Sequence, residues 1–126
     1  MLFRSAALYL ASATVNASTT AYSSTGEVTG TGYTAGGVTV TNATPPASTN
    51  TSSTAGTAYW TPSASITYTS VTLTTAFDAV LIYNSTQSNK AVSVHTFGSQ
   101  TVTAGTFTLT MPSNTTSTAL LRLATT

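Results

Sequence analysis

The sequence predicts an all-β protein, built as a two-sheet antiparallel sandwich with jelly-roll-like or Greek-key topology. The composition supports this class, because 32 threonines and 17 serines accompany only five charged residues among 126. Threonine, valine and the aromatic residues favour strands, whereas the usual surface helix formers are scarce. Short apolar runs alternate with clusters of glycine, proline, asparagine and serine, which is the spacing of a sandwich or barrel. No long helical period separates these runs, so βαβ units are not expected.

The strand predictions follow the apolar runs in chain order. Eight candidate strands cover residues 6–10, 38–42, 57–60, 65–74, 79–83, 91–97, 106–111 and 119–123. Apolar side chains alternate with small or polar ones at Val38 and Val40, at Val92 and Val94, and from Phe107 onward. This alternation predicts that each of these strands has one buried side and one side facing solvent.

Four segments predict departures from a regular half-buried strand. The apolar phase slips by one residue between Tyr68 and Val71, which predicts a β-bulge at residues 69–70. Residues 79–83 are apolar without alternation, so this strand is expected to be covered on both faces. Residues 84–89 predict one hairpin turn, and the pair at 104–105 predicts another, with a positive φ.

The length and the loops predict the domain organisation. A chain of 126 residues is expected to form one domain, here a single β-sandwich over residues 1–126 with an N-terminal arm at residues 1–4. Residues 43–56 are rich in threonine and serine and include Pro45 and Pro46, so a flexible exposed loop is predicted there. The short apolar stretch at residues 6–11 also fits a signal peptide, which keeps a secreted adhesin-like domain among the alternatives.

Charge and composition exclude several function classes. Three cationic residues against two acidic ones leave no basic stripe for nucleic acid. No apolar run approaches the roughly 20 residues needed to span a bilayer. Nucleic acid and membrane are therefore not expected as partners.

The residues that carry chemistry are few. Glu27 and Asp78 are the only acidic side chains, His95 is the only histidine, and cysteine is absent. Glu27 lies in a glycine-rich segment, where a carboxylate either accepts hydrogen bonds from turn N–H groups or faces solvent. No spacing supports a metal site, and no nucleophile elbow accompanies a possible triad. The sequence therefore predicts no enzyme activity, no catalytic residue, no metal and no cofactor.

Aromatic side chains are the best candidates for contact with a partner. Large aromatic residues are enriched at protein interfaces, and alternation places His95 and Phe97 on the face opposite Val94. The predicted contact residues are Tyr33, Tyr59, Trp60, His95 and Phe97. An alternative hypothesis makes Tyr59 and Trp60 a stacking platform for a surface glycan.

Several segments resemble small virion proteins of tailed bacteriophages. The first two are AYSSTGEV at residues 21–28 and GTGYTAGG at residues 30–37. AVLIYNS at residues 79–85 and KAVSVHTFG at residues 90–98 resemble the paired strands of that family, and GTFTLTMP at residues 105–112 resembles its late strand. The similarity covers most of the chain from residue 21 onward. It departs from the family just before Phe97 and Gly98, where the family usually has an acidic residue and this chain has His95 and Thr96.

The resemblance implies a virion component, and the hypothesis drawn from it is a capsid cement or decoration protein. Such a subunit binds the outer surface of the shell, with the major capsid protein and further copies of itself, as a dimer or trimer, for partners. A tail or neck protein is the alternative within virion components.

Overall fold

Every regular element that the structure describes is a β-strand. The structure is a computed structural model, and it describes residues 4–42, 44–50 and 54–125. Within these ranges no helix forms, and so no helix long and apolar enough to cross a membrane occurs there. The strands are β1 (Arg4–Leu10), β2 (Val38–Val40), β3 (Ala47–Ser48), β4 (Thr57–Trp60), β5 (Ile66–Asn84), β6 (Lys90–Leu109) and β7 (Leu121–Ala124).

The strands form two sheets in which every pair with a defined register is antiparallel. One sheet has four strands in the order β2-β1-β5-β6, and the other has three in the order β3-β4-β7. The prediction of an all-β fold with two antiparallel sheets is therefore confirmed. Contacts divide the chain into two compact units, one of Met1–Val40 with Thr67–Thr108 and the other of Thr41–Ile66 with Leu109–Thr126.

The central strand β5 is buried on both faces near its end, as predicted for residues 79–83. Successive side chains of a strand point to opposite faces, yet every residue from Ala79 to Asn84 is buried. Beside it, β1 contributes Ala6, Ala7 and Leu8, each fully buried. This part of β5 is therefore packed on both of its faces, and it stabilises the larger unit.

The bulge predicted at residues 69–70 is confirmed. Ser70 has a φ of 53°, and both it and Thr69 are exposed between the buried side chains of Tyr68 and Val71. The extra residue restores the apolar phase, so that Val71 and Leu73 return to the buried face.

The hairpin predicted at residues 84–89 is confirmed. The Lys90 amide donates to the Gln87 carbonyl at 3.1 Å, and the two residues between them, Ser88 and Asn89, have φ values of 53° and 58°. Positive φ at both central positions is characteristic of a type I′ turn, which here closes the loop just before β6 begins at Lys90.

The second predicted hairpin, at residues 104–105, is wrong. Ala104 has the expected positive φ, at 46°, but β6 continues through it to Leu109. The strand bends instead of reversing, because a single left-handed residue in a ladder makes a bulge that can be accommodated without ending the strand. The bend is sharp: ten residues of a straight strand would span about 33 Å, yet the rings of Phe97 and Phe107 are only 5.4 Å apart.

The predicted loop at residues 43–56 is only partly irregular. Ala47 and Ser48 form β3 by pairing with Tyr59 and Ala58, so the prediction of an unstructured loop is wrong at these two positions. Residue 43 and residues 51–53 lie outside the described residues. The same holds for residues 1–3 of the predicted N-terminal arm, while Arg4 already belongs to β1.

Candidate functional site

The most elaborate polar site in the chain surrounds the carboxylate of Glu27. This side chain is only 6 % exposed, and three groups donate hydrogen bonds to it. The Tyr22 hydroxyl lies 2.7 Å from Oε2, while the Tyr33 hydroxyl and the Gly36 amide lie 2.7 and 2.8 Å from Oε1. Donors approach both oxygens, so the charge of this buried carboxylate is compensated by hydrogen bonds.

The backbone on both sides of Glu27 is tied to β1. The Leu10 amide donates to the Gly26 carbonyl at 2.9 Å, and the Val28 amide donates to the Leu8 carbonyl at 3.0 Å. The Tyr33 hydroxyl also accepts from the Leu8 amide at 3.0 Å. Glu27 therefore lies beside the fully buried part of β1, where little of its surface is exposed to solvent.

Glycine allows the next part of this segment to pass close to β5. Thr31 forms an antiparallel bridge with Thr72, and the Thr72 amide donates to the Thr31 carbonyl at 2.9 Å. Gly32 has a φ of 78°, and a Cβ at this position would overlap the Ser70 carbonyl oxygen. The glycine-rich segment is thus a strap that runs from β1 to the bulged part of β5.

The tyrosines around Glu27 are held in their neutral form. The pKa values of Tyr22 and Tyr33 are raised far above the ordinary value for tyrosine. Burial is the larger cause, and the hydrogen bond to Glu27 is the second. Burial also raises the pKa of Tyr68, whose hydroxyl donates to the Ala6 carbonyl at 2.8 Å. These hydroxyls act as hydrogen-bond donors, which requires that they keep their protons.

The raised tyrosine pKa values predict a loss of stability at alkaline pH. In the unfolded chain a tyrosine ionises near pH 10, whereas in the folded chain the same hydroxyl stays protonated. Because the folded state then binds more protons, the free energy of unfolding should fall as the pH rises above about 10. Urea denaturation between pH 8 and about 11 measures this slope. Tyr68→Phe should make the slope shallower, and an unchanged slope would contradict the assignment to Tyr68.

Asp78 and His95, the other two candidates for acid-base or metal chemistry, lie elsewhere on the four-stranded sheet. Asp78 is half-buried at the point in β5 where the register with β1 shifts between Tyr9 and Leu10. His95 is half-buried in β6, 3.0 Å from the Ser93 hydroxyl, and burial lowers the pKa of its imidazole. Within the described residues, no three such side chains gather in a group that could hold a metal ion.

The predicted contact residues of the larger unit are partly covered. Tyr33 is half-buried, with its hydroxyl on Glu27 and its ring stacked 5.9 Å from that of Tyr68. Phe97 is half-buried and lies 6.1 Å from the fully buried Phe77, edge to face. Both rings thus contribute much of their area to the fold. The expectation that Val92 lies on a buried face is wrong, since Val92 is 37 % exposed.

Trp60 is a core residue of the smaller unit. It is only 4 % exposed, and its indole N–H donates to the Asn42 side-chain oxygen at 2.5 Å. A sugar platform needs an accessible ring face, so the hypothesis of a platform at Tyr59 and Trp60 is wrong for the Trp60 ring. The adjacent Tyr59 is half-buried.

One side of the three-stranded sheet carries a shallow apolar groove. Directly opposed residues of an antiparallel ladder share a face, and here Ala58 opposes Leu123 while Trp60 opposes Leu121. Leu123 is 71 % exposed, the largest exposure among the large apolar side chains that the structure describes. The groove has a volume of about 290 Å³ and is lined by Pro46, Ala58, Tyr59, Trp60, Leu121, Arg122 and Leu123.

Two further clefts are lined mainly by small side chains. One, of about 460 Å³, lies in the larger unit between Tyr9 and residues 12–15. The other, of about 360 Å³, lies in the smaller unit between residues 61–65 and 111–114. Hydroxyl and apolar side chains line both, and neither is lined by an acidic or basic side chain.

The sequence pointed to Glu27 but not to its partners. Of the two alternatives that the glycine-rich surroundings left open, the structure shows the acceptor of a backbone N–H, that of Gly36, and the alternative of a solvent-facing carboxylate is wrong. The two tyrosine donors lie five and six residues from Glu27, a spacing with no periodic meaning, so only the fold brings them to one carboxylate. In the sequence, the alternation of Leu121 and Leu123 with Arg122 was only a weak indication of the groove.

Comparison of the chain with protein-family models, with curated proteins and with solved structures found no match.

Proposed function

We propose that this chain is a structural subunit of a larger assembly, a decoration protein that binds the outer surface of a tailed-phage capsid. The observation that carries the proposal is the apolar groove of the three-stranded sheet, with Leu123 projecting from it at 71 % exposure. An exposed apolar surface of this kind is a common feature of protein contact sites. The resemblance of residues 79–85 and 90–98 to virion proteins supports the choice of a capsid as the partner.

The groove has the composition expected of a contact surface. Ala58, Leu121 and Leu123 share the groove face. Tyr59 and Arg122 also line the groove but oppose each other in the ladder, so their side chains point to the other face of the sheet. There the Arg122 guanidinium donates to the Thr116 carbonyl at 3.2 Å. Trp60 lies on the groove face opposite Leu121 and is only 4 % exposed, so it forms the buried end of the apolar surface. Repeated around a shell, one modest contact per subunit adds up through multivalency.

The copy number of the chain in purified virions tests this proposal. Quantitative mass spectrometry against the major capsid protein should find hundreds of copies, as expected for a subunit that covers the shell. A dozen or fewer copies would assign the chain to the tail or neck instead. Absence from the virion would overturn the proposal.

A matched pair of variants on β7 tests the groove. Leu123→Ser should weaken binding to empty capsids at least tenfold, because burying a leucine side chain contributes about 1.5–3 kcal/mol and about 1.4 kcal/mol corresponds to a factor of ten. Ala124→Ser changes the next residue, which opposes Thr57 on the other face, and should leave binding unchanged. Co-sedimentation with capsids measures both. Equal binding by the two variants would remove the groove as the contact surface.

A further inference from the structure

β6 forms one edge of the four-stranded sheet, and its outer side is covered only at the start. The Ala91 amide donates to the Thr20 carbonyl, and the Tyr22 amide donates to the Asn89 carbonyl, both at 2.9 Å. After Ala91, no other described segment pairs with the outer side of β6. The strand then bends away beyond Phe97, as its contact with Phe107 shows. The open, regular part of the edge is therefore residues 93–97.

The side-chain faces show which backbone groups of this edge point outward. Ala91, whose amide points outward, packs against the buried cluster of Ala7, Tyr9, Ala79, Leu81 and Tyr83. Val94 packs against the same cluster. In a regular strand, residues three positions apart lie on opposite faces, so β6 contains an irregularity between Ala91 and Val94. Residues on one face of a strand direct their N–H and C=O groups to the same side. The outward groups of the open edge are thus those of Val94 and Thr96.

The edge lacks the protective side chains that natural edge strands carry. Natural edge strands avoid association through charged side chains, proline or very short length. Residues 91–109 contain no lysine, arginine, aspartate, glutamate or proline, and β6 is 20 residues long. By contrast, β2 at the other edge has only three residues.

We propose that the open edge of β6 pairs with the same edge of a second copy of this chain, antiparallel and around a two-fold axis at His95. The open stretch of residues 93–97 is centred on His95, so this register places the same stretch of both copies in contact. Val94 of each copy then exchanges both backbone hydrogen bonds with Thr96 of the other, which makes about four bonds in all. A second copy suits the site because identical antiparallel strands are complementary by symmetry.

Removal of an outward amide tests the pairing. Thr96→Pro deletes an N–H that does not face β5, a position where an edge strand tolerates proline. Thr96→Ala shortens the same side chain but keeps the N–H. Sedimentation equilibrium should show a dimer for the native chain and for Thr96→Ala, and at least a tenfold higher dissociation constant for Thr96→Pro. A native chain that stays monomeric throughout the micromolar range, or equal dimerisation by both variants, would overturn the proposal.

Single cysteines test the register in an otherwise native chain, which contains none. At the two-fold axis the His95 residues form the closer kind of antiparallel pair, with Cα atoms about 4.5 Å apart, which a disulfide can bridge. Under mild oxidation, His95→Cys should form a covalent dimer, whereas Val94→Cys and Thr96→Cys should cross-link at least tenfold more slowly. Fastest cross-linking at position 94 or 96 would exclude this register.

These experiments use the isolated protein, so they stand apart from the proposed capsid function. A failed dimer leaves the groove and the copy-number test untouched, and absence from virions leaves the dimer untouched.

Discussion

Gly37→Ala should destabilise the larger unit by about 2–5 kcal/mol, because it combines a left-handed backbone with a steric clash. Gly37 has a φ of 75°, a region that side chains other than glycine adopt with strain. A Cβ at this position would overlap the Ala6 carbonyl oxygen and lie 2.8 Å from the Ala7 Cα, and both belong to fully buried residues of β1. Neither backbone atom can move without breaking the register of β1 with β5.

Gly98→Ala is the matched control for this prediction. No atom lies within 4 Å of a Cβ built at Gly98, and its φ is outside the left-handed region. The same chemical change should therefore alter stability by less than about 0.5 kcal/mol, as for most surface substitutions. Urea unfolding of the two variants measures the difference. Equal stability of Gly37→Ala and Gly98→Ala would show that the turn at Gly37 does not hold β1.

Glu27→Ala should destabilise the protein by about 3 kcal/mol or more, because each buried donor left without an acceptor costs about 1–3 kcal/mol. The substitution leaves the hydroxyls of Tyr22 and Tyr33 and the Gly36 amide without their common partner. The strap from β1 to β5 is attached through these donors, so its order should be lost together with the stability. Hydrogen exchange of the Gly36 amide reports this local change directly.

Two controls separate the role of the acceptor from that of the charge. Glu27→Gln keeps the shape and one acceptor oxygen, so its loss of stability should be smaller than that of Glu27→Ala. Asp78→Ala removes the other acidic side chain, which is half-buried, and should have less effect than either. If Glu27→Ala and Asp78→Ala proved equally mild, the carboxylate would not organise the strap.

Local periodicity is the part of the sequence that carried reliable information. The slip between Tyr68 and Val71 located the bulge at Ser70, and the unbroken apolar run located the doubly covered end of β5. Both depend only on side chains next to each other in the chain, because alternation has a period of two. Strand ends were less well defined, since β5 and β6 each join two predicted strands into one.

The candidate sites depended on residues far apart in the chain. The burial of Trp60 involves Asn42, 18 residues earlier, and the position of Tyr33 involves Leu8, 25 residues earlier. An aromatic pair such as Tyr59-Trp60 has the same local signature in a core and at an interface, so sequence alone did not separate the two. The open edge of β6 was equally hidden, because strand order is a property of the sheet.

By itself, then, the sequence determined the all-β class, the burial of β5 and the bulge at Ser70, since composition and a two-residue period are sufficient for each. Only the tertiary structure decided that Ala104 bends a strand instead of closing a hairpin, because a positive φ is compatible with both, and the bent strand places Phe107 5.0 Å from Phe77. It also decided that Glu27 is a buried acceptor and that Leu123 is exposed. Those outcomes follow from which segments the fold brings together, and no local pattern encodes that.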